Sequence, residues 1–139
     1  MSPAEEMARQ SAAAMWQDDA ASQALGMEIL EVGPGTAKLA MKIRPDMVNG
    51  HGTAHGGFIF TLADSAFAFA CNSYNERAVA AHCSISYIRP GKLDAQLIAT
   101  AREVSRAGRS GIYDVEIVQN HEVIAQFRGH SRLIGGSVF

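Results

Sequence analysis

The spacing of hydrophobic and polar residues changes several times along the chain, and each change predicts a new element. Residues 4–25 are rich in Ala and helical in pattern, with a break near 17–19, where an aspartate can cap a second short helix. Two extended segments follow at 27–32 and 36–43, and in the second of them apolar residues alternate with lysines. Because a Gly-Pro-Gly turn lies between them, we predict an antiparallel hairpin.

The segment 58–74 carries the strongest helical signal in the sequence. It contains no Gly or Pro, and apolar residues occupy nearly every side of it. A helix that is apolar all round is normally buried, so this segment should form a central helix. Its Ala and Ser residues would allow a sheet to approach it closely. The preceding residues, 44–57, are rich in Gly, Asn and His and should form a loop.

Four more stretches are strand-like, and breaker residues separate them. They are 79–89, 95–105, 111–119 and 122–133. The alternation is clearest in the last two stretches, where apolar residues alternate along the chain with polar or charged ones. This order of elements indicates an α+β class, with a strongly bent antiparallel sheet around one buried helix. Since there is no internal repeat and no long linker, the whole chain, 1–139, is predicted to form one domain.

Composition narrows the possible functions. The 139 residues are 47% hydrophobic and 19% charged, which is typical of a folded domain with a real core. The net charge of −2 does not indicate the basic surface through which proteins bind nucleic acid. No apolar run reaches the ~20 residues that cross a bilayer, and the acidic first residues resemble no signal sequence. We therefore expect a cytoplasmic protein that binds neither nucleic acid nor membrane, with Cys71 and Cys83 as reduced, buried thiols.

Asp64 is the unusual residue of the central helix. It lies in the middle of an apolar segment, with Phe60 and Phe67 on the neighbouring turns. Burying a carboxylate is costly unless it is paired or hydrogen-bonded. Asp64 is therefore either a structural residue that binds a loop backbone or a nearby cation, or a general base or nucleophile whose pKa is set by burial.

A second signal lies directly before this helix, in the sequence His55-Gly56-Gly57. Glycines leave the first backbone N–H groups of a helix open to a ligand, and a helix N-terminus carries unsatisfied donors and partial positive charge. Such donors stabilise a carbonyl oxygen as it becomes an oxyanion. An ordinary glycine turn into a helix would have the same sequence, so this signal gains meaning only together with Asp64.

The spacing of the two signals predicts a dimer. Gly56 and Asp64 are eight residues apart, so at ~1.5 Å per residue their Cα atoms lie ~12 Å apart along a helix. A donor and a carboxylate that act on one carbon must both approach it within ~3.5 Å. Two antiparallel copies of the helix, related by a twofold axis, could pair Gly56 of one chain with Asp64 of the other. We therefore predict an obligate dimer with two composite sites.

The central helix and its loop resemble the active-site segment of hotdog-fold thioesterases. The residues that carry the resemblance are NGHGTAHGGFIFTLADSAFAFACNS, within which HGG followed by LADSAFA is fairly specific. Three further motifs extend it over nearly the whole chain: SISYIRPG at 84–91, GIYDVEIV at 111–118 and FRGHSRLIGG at 127–136. The last motif points to the phenylacetate-degradation (PaaI) group. The resemblance implies a hotdog fold, hydrolysis of acyl-CoA thioesters, in particular arylacetyl-CoA esters, and tetramers made of two dimers.

The resemblance also implies roles for individual residues. Asp64 matches the catalytic carboxylate, and Gly56, with or without Gly57, matches the backbone donor that polarises the carbonyl. Asn49 and His55 fall on loop positions that orient substrate or water in the family. No cofactor is implied, because coenzyme A is part of the substrate.

Four more residues are candidates for substrate binding. Ser84 stands where relatives often carry a Thr or Ser that faces the site. Arg89, Arg106 and Arg109 lie at predicted strand ends or turns. These arginines either contact the phosphates of coenzyme A, which Arg binds in bidentate fashion, or are solvated turn charges.

Two other enzyme or binding functions remain open. A hotdog hydratase or dehydratase would pair His55 with the carboxylate as acid and base, although the HGG and LAD motifs fit thioesterases better. A non-catalytic acyl-CoA sensor would usually add a DNA-binding segment or lose the carboxylate. His51 and His55 are four residues apart, but they lie in a Gly-rich loop without a third ligand, so we predict no metal. Asp64 could act as nucleophile or as general base.

Overall fold

The computed structural model describes all 139 residues, Met1–Phe139, and confirms the α+β class. The helices are α1 (Pro3–Asp18), α2 (Ala20–Ala24) and α3 (Gly56–Cys71), and a short 3₁₀ turn spans Pro45–Met47. The strands are β1 (Glu28–Gly33), β2 (Thr36–Lys42), β3 (Ala78–Tyr87), β4 (Gln96–Ala107), β5 (Ser110–Gln119) and β6 (Glu122–Leu133). Every strand bound falls within two residues of its prediction.

The bounds of the central helix differ more from the prediction. The helix α3 begins at Gly56, two residues before the predicted start, because His55 caps its N-terminus. It ends at Cys71 and not at residue 74, because the Asn72 side chain closes the turn that follows. The Asn72 Oδ1 accepts from the Ala78 N–H at 2.9 Å, and its Nδ2 donates to the Ala78 carbonyl at 3.1 Å. The chain therefore turns directly from α3 into β3.

The six strands form one antiparallel sheet in the order β1-β2-β4-β5-β6-β3. The predicted β1–β2 hairpin is present, and β4, β5 and β6 follow one another as hairpins. The strand β3 comes directly after α3 but pairs with β6 at the far edge of the sheet. The chain thus crosses from one edge region to the other through α3, which places the helix against a single face of the sheet.

The core lies between α3 and the inner face of the sheet. The aromatic ring of Phe67 is at its centre, with ring centroids 5.8 Å from those of Tyr113 and Phe127. A Cβ atom at Gly129 would lie 2.8 Å from this ring, so only glycine lets β6 approach the helix here. Small and apolar residues fill the rest of the helix–sheet contact: Leu62, Ala63, Ala66 and Ala70.

The opposite face of α3 is not covered by the sheet. Gly57, Thr61, Asp64 and Ala68 recur at a spacing of three or four residues, so they share this face. Gly57 is exposed and the other three are half-buried. The prediction of a helix that is buried on every side is therefore wrong for the single chain.

The N-terminal helices cover one flank of the core. The predicted break is confirmed, since Asp19 ends α1 and caps α2 by accepting from the Ser22 N–H at 2.9 Å. The Ser22 hydroxyl also lies 2.8 Å from the hydroxyl of Ser65 on α3. The Trp16 ring packs near Phe69, with centroids 6.4 Å apart. These contacts connect the N-terminal segment to the middle of α3.

Both cysteines are free thiols, as predicted, but only Cys71 is fully buried. Cys83 is half-buried because it lies on the edge strand β3. None of the helices combines the length and the apolar character that a membrane crossing requires.

Candidate active site

The N-terminus of α3 presents one open backbone donor. His55 has extended backbone angles, with φ −64° and ψ 131°, and its Nδ1 accepts from the Gly57 N–H at 3.0 Å. This bond requires the proton of the neutral ring to lie on Nε2. The Gly56 N–H, in contrast, has no acceptor within the chain. The expectation that Gly57 offers a second donor is therefore wrong, and Gly56 remains as the only candidate of the pair.

Tyr87, at the end of β3, lies directly against Gly56. Its hydroxyl donates to the Gly56 carbonyl oxygen at 2.8 Å. A Cβ atom at Gly56 would lie 3.0 Å from the Cζ of this ring, which leaves little room for any side chain at position 56. An open hollow of about 370 Å³ adjoins this contact. Its lining is mostly apolar: Ala54, Gly56, Ile59, Tyr87, Ile88, Arg89, Pro90 and Gly91.

Asp64 lies two turns further along the helix, on the face that the sheet leaves uncovered. Its carboxylate makes no hydrogen bond and no ion pair within the chain, and the residue is half-buried. Burial raises the pKa of this carboxyl above the ordinary value of an aspartate. The negative charge of Asp64 also helps burial to raise the pKa of the Cys71 thiol to about 12. An unpaired carboxylate with a raised pKa is suited to accept a proton or to attack an electrophile.

A single chain does not bring the donor and the carboxylate together. Both belong to the one continuous helix Gly56–Cys71, in which eight residues correspond to ~12 Å. The geometry of the chain thus leaves each group without a catalytic partner.

Asn49 holds the loop that leads to the helix. Its Oδ1 accepts from the His51 N–H at 2.9 Å, from the Thr53 N–H at 3.2 Å and from the Thr53 hydroxyl at 3.3 Å. The same loop is fixed to the core by the bond from the His55 N–H to the Met47 carbonyl, 2.8 Å long. The side-chain oxygen of Asn49 is thus engaged in the loop, and only its Nδ2 is free to meet a ligand.

Ser84 does not lie at this site. The neighbouring side chains Cys83 and Ile85 pack against the core, and strand residues alternate between faces, so Ser84 belongs to the outer face of the sheet. There it lines a shallow hollow together with Asp114 and Arg128. The expectation that Ser84 faces the active site is therefore wrong.

The three arginines do not form one cluster. Arg89 borders the hollow beside Gly56, where it donates to the Val123 carbonyl at 2.6 Å and pairs with Glu122 at 3.2 Å. Arg106 and Arg109 line a small cavity at the other end of α3, ~22 Å from Gly56 at the helical rise. Within one chain, only Arg89 can approach a ligand held at Gly56.

Sequence reasoning missed Tyr87, although it lies inside the motif SISYIRPG. Thirty-one residues separate Tyr87 from Gly56, and no local pattern indicates that they touch.

One helix held against a six-stranded antiparallel sheet of this strand order is the hotdog fold. A model of the thioesterase superfamily matches residues 51–125, and the chain belongs to that superfamily. The acyl-coenzyme A thioesterase PaaI of Escherichia coli is 45% identical over 130 residues, which make up 93% of each chain.

Solved structures agree with this assignment. That of the E. coli PaaI protein from the phenylacetic acid degradation operon superposes with a TM-score of 0.94 and 43% identity, over 96% of this chain and 97% of that chain. A hypothetical thioesterase from Streptococcus pneumoniae TIGR4, solved with coenzyme A, superposes with a TM-score of 0.77 and 26% identity, over 80% of this chain and 90% of that one.

Proposed function

We propose that this protein hydrolyses acyl-CoA thioesters to the free acid and coenzyme A, with Asp64 as the catalytic carboxylate. The observation that carries the proposal is the unpaired, half-buried Asp64 carboxylate on the uncovered face of α3, whose pKa burial raises. The name of the E. coli relative, an acyl-CoA thioesterase, supports the choice of substrate class. A cytoplasmic location suits a substrate built on coenzyme A.

In the proposed reaction, the Gly56 N–H and the Asp64 carboxylate each have one role. The Gly56 N–H donates to the carbonyl oxygen of the thioester and stabilises the negative charge that develops there. The Asp64 carboxylate either attacks the carbonyl carbon, giving an anhydride that water hydrolyses, or removes a proton from the attacking water. In both routes the C–S bond breaks, and coenzyme A leaves as a thiolate that then takes up a proton.

The active unit we propose is a dimer with two composite sites. The ~12 Å between Gly56 and Asp64 in one helix exceeds what a single reacting carbon can bridge. A second copy with an antiparallel α3 would supply the missing partner to each site. The uncovered face of α3 is suited to such packing, because three of its residues, Gly57, Thr61 and Ala68, are small. Two such dimers would form the tetramer.

We further propose that the acyl group is arylacetyl, with hydroxylated phenylacetyl-CoA as the preferred ester. The E. coli relative comes from a phenylacetic acid degradation operon. The mostly apolar hollow beside Gly56 offers Ile59, Tyr87 and Ile88 as contacts for an acyl group. Arg89 borders the same hollow and could bind a coenzyme A phosphate, as could Arg106 and Arg109 of the second copy.

The direct test is an assay of the purified protein with a panel of aliphatic and arylacetyl-CoA esters, in which the released thiol is measured. We expect turnover of arylacetyl esters, and a loss of at least ~10²-fold in kcat for Asp64→Ala and Asp64→Asn. Full activity of Asp64→Ala would disprove the assigned mechanism. Turnover confined to short aliphatic esters would disprove the substrate assignment alone.

The composite site is tested by mixing two inactive variants. Asp64→Ala lacks the carboxylate, and Gly56→Pro lacks the backbone donor. In a mixed dimer, one site combines both defects and the other is intact. After the subunits are mixed equally and allowed to exchange, half of the dimers are mixed, so about a quarter of the wild-type activity should return. A site contained within one chain predicts no recovery.

A further inference from the structure

Two consecutive glycines open α3, and glycine is the residue with the greatest backbone freedom. The Gly56 N–H has no acceptor one turn earlier, and the peptide that carries it is held within the helix through the His55 carbonyl, which accepts from the Phe58 N–H at 3.0 Å. A donor that stabilises an oxyanion must nevertheless be aimed before the reaction begins. A contact from outside the helix would hold its first residue more firmly than this one bond.

Each of the two glycines is held by a different side chain. The N–H of Gly57 is fixed by the ring of His55, which is two residues away in the sequence. Gly56 is fixed from the sheet, because the Tyr87 hydroxyl donates to its carbonyl at 2.8 Å and the Tyr87 ring occupies the space of a side chain. Tyr87 thus contacts Gly56 without using its N–H, which stays open.

We propose that Tyr87 is a positioning residue that aims the Gly56 N–H at the thioester carbonyl. It acts through the Gly56 Cα, which joins the peptide that carries the N–H to the next peptide: its hydroxyl restrains the Gly56–Gly57 peptide on the far side of that atom, and its ring blocks movement of the Cα towards β3. This inference rests on the proposed function, because it assigns Tyr87 to the same site. The same contact favours glycine at position 56, since a Cβ there would lie 3.0 Å from the Tyr87 ring.

The first test separates the hydroxyl from the ring. Tyr87→Phe keeps the ring and removes the hydrogen bond. We expect kcat on the best arylacetyl-CoA ester to fall ~3- to ~10-fold, while KM stays within about twofold, because the donor acts mainly in the transition state. The matched control is Tyr74→Phe, which removes a similar tyrosine hydrogen bond, to Glu103, beyond the other end of α3. The control should leave kcat within about twofold of the wild type.

The second readout does not depend on activity. The amide signal of Gly56 in a ¹H–¹⁵N spectrum reports on the donor itself. In Tyr87→Phe this signal should shift, whereas Tyr74→Phe should leave it in place. If the wild type hydrolyses no thioester, the proposed function fails, and this spectrum still decides whether Tyr87 holds Gly56.

A pair of substitutions tests the ring. Gly56→Ala alone should lower kcat at least ~10-fold, because the new methyl group meets the Tyr87 ring. In a Tyr87→Ala background the same methyl group has room, so adding Gly56→Ala should cost less than ~3-fold. The two effects are then strongly non-additive, as expected for residues in contact.

Three results would overturn the inference. One is a Tyr87→Phe enzyme with unchanged kcat and an unmoved Gly56 amide signal. Another is a rise in KM at constant kcat, which would make Tyr87 a substrate contact. The third is additive behaviour of the Gly56 and Tyr87 substitutions, which would leave the ring with no influence on the donor.

Discussion

At the C-terminal end of α3 the polar groups are paired, whereas the Gly56 N–H at the N-terminus and the Asp64 carboxylate in the middle of the helix are not. Near the C-terminus the hydroxyls of Tyr74 and Tyr113 both donate to Glu103 Oε1, at 2.9 and 3.0 Å, and Arg106 stacks 3.6 Å above the Tyr74 ring. The cavity there holds only about 20 Å³. At the other end the hollow beside Gly56 holds about 370 Å³.

Within one chain, the paired tyrosine and glutamate cluster contributes to stability, whereas the two unpaired groups remain available for the reaction. Burial raises the pKa of Tyr113, and the charge of Glu103 raises it further, so the hydroxyl keeps its proton and its hydrogen bond. That network satisfies its own donors and acceptors, as a structural cluster should. The Gly56 N–H and the Asp64 carboxylate have no such partners, and unpaired groups of this kind are costly unless a ligand or a second chain meets them.

The largest expected effect comes from removing the open donor. Gly56→Pro deletes the N–H, and proline is accepted at the first position of a helix after a residue with extended backbone, as His55 is. We expect kcat to fall ~10²- to ~10³-fold, the scale for one lost oxyanion donor. Gly56→Ala is the matched control, since it adds a Cβ but keeps the N–H. If both variants lose the same activity, the loss is steric and the N–H is not the donor.

In the cluster of Tyr74, Tyr113 and Glu103, a substitution is expected to change stability and not the reaction rate. Glu103→Leu leaves the buried Tyr113 hydroxyl without an acceptor, so the free energy of unfolding should fall by ~1–3 kcal/mol. Glu103→Gln keeps an acceptor oxygen and should lose less. Chemical denaturation measures both, and kcat per folded enzyme should stay near the wild-type value. A large loss of kcat with little loss of stability would show that the Glu103 cluster takes part in the reaction and not only in folding.

The helix, the strands and the unusual carboxylate could be read from the sequence because each is a local signal. Asp64 stands out in an apolar segment whatever the fold around it. The direction of Ser84 could not be read, because alternation leaves open which face of an edge strand is inner. The contact between Tyr87 and Gly56 joins residues 31 apart and depends on how the end of β3 meets the helix. The occupied N–H of Gly57 depends on the rotamer of a neighbouring ring, which spacing does not specify.

A smaller effect is expected from His55, the N-cap residue of α3. His55→Ala removes the acceptor of the Gly57 N–H, which should lower the free energy of unfolding by ~1 kcal/mol. His55→Asn should restore most of this stability, because Asn is a favourable N-cap residue. Thermal unfolding measures the cap, and kcat of the Asn variant measures any further role of the imidazole. If His55→Asn regains stability but not kcat, His55 also acts on the substrate or its water.

The smallest effect should appear in the pH dependence of stability. Because the pKa of Asp64 is raised in the folded state, the folded protein keeps a proton that the unfolded chain has already lost. As pH rises from the ordinary aspartate pKa to the raised one, Asp64 therefore lowers the free energy of unfolding. Asp64→Asn lacks this titration. The free energy of unfolding of the variant minus that of the wild type should therefore increase between the two pKa values and stay constant at higher pH.

Asp114 provides a control of opposite sign for this pH experiment. Its hydrogen bonds with Arg128, at 2.6 and 2.9 Å, hold the pKa of that carboxyl below its ordinary value. Its stabilising contribution is present above the ordinary aspartate pKa and is lost as pH falls through the lowered one. Asp114→Asn should therefore be less stable than the wild type at neutral pH, with the difference vanishing in acid. Urea unfolding of the wild type, Asp64→Asn and Asp114→Asn across the acidic pH range measures both stability differences and their opposite pH dependence. If Asp64→Asn followed the Asp114→Asn pattern, Asp64 would have a stabilising partner in the assembled protein and would no longer count as an unpaired group of α3.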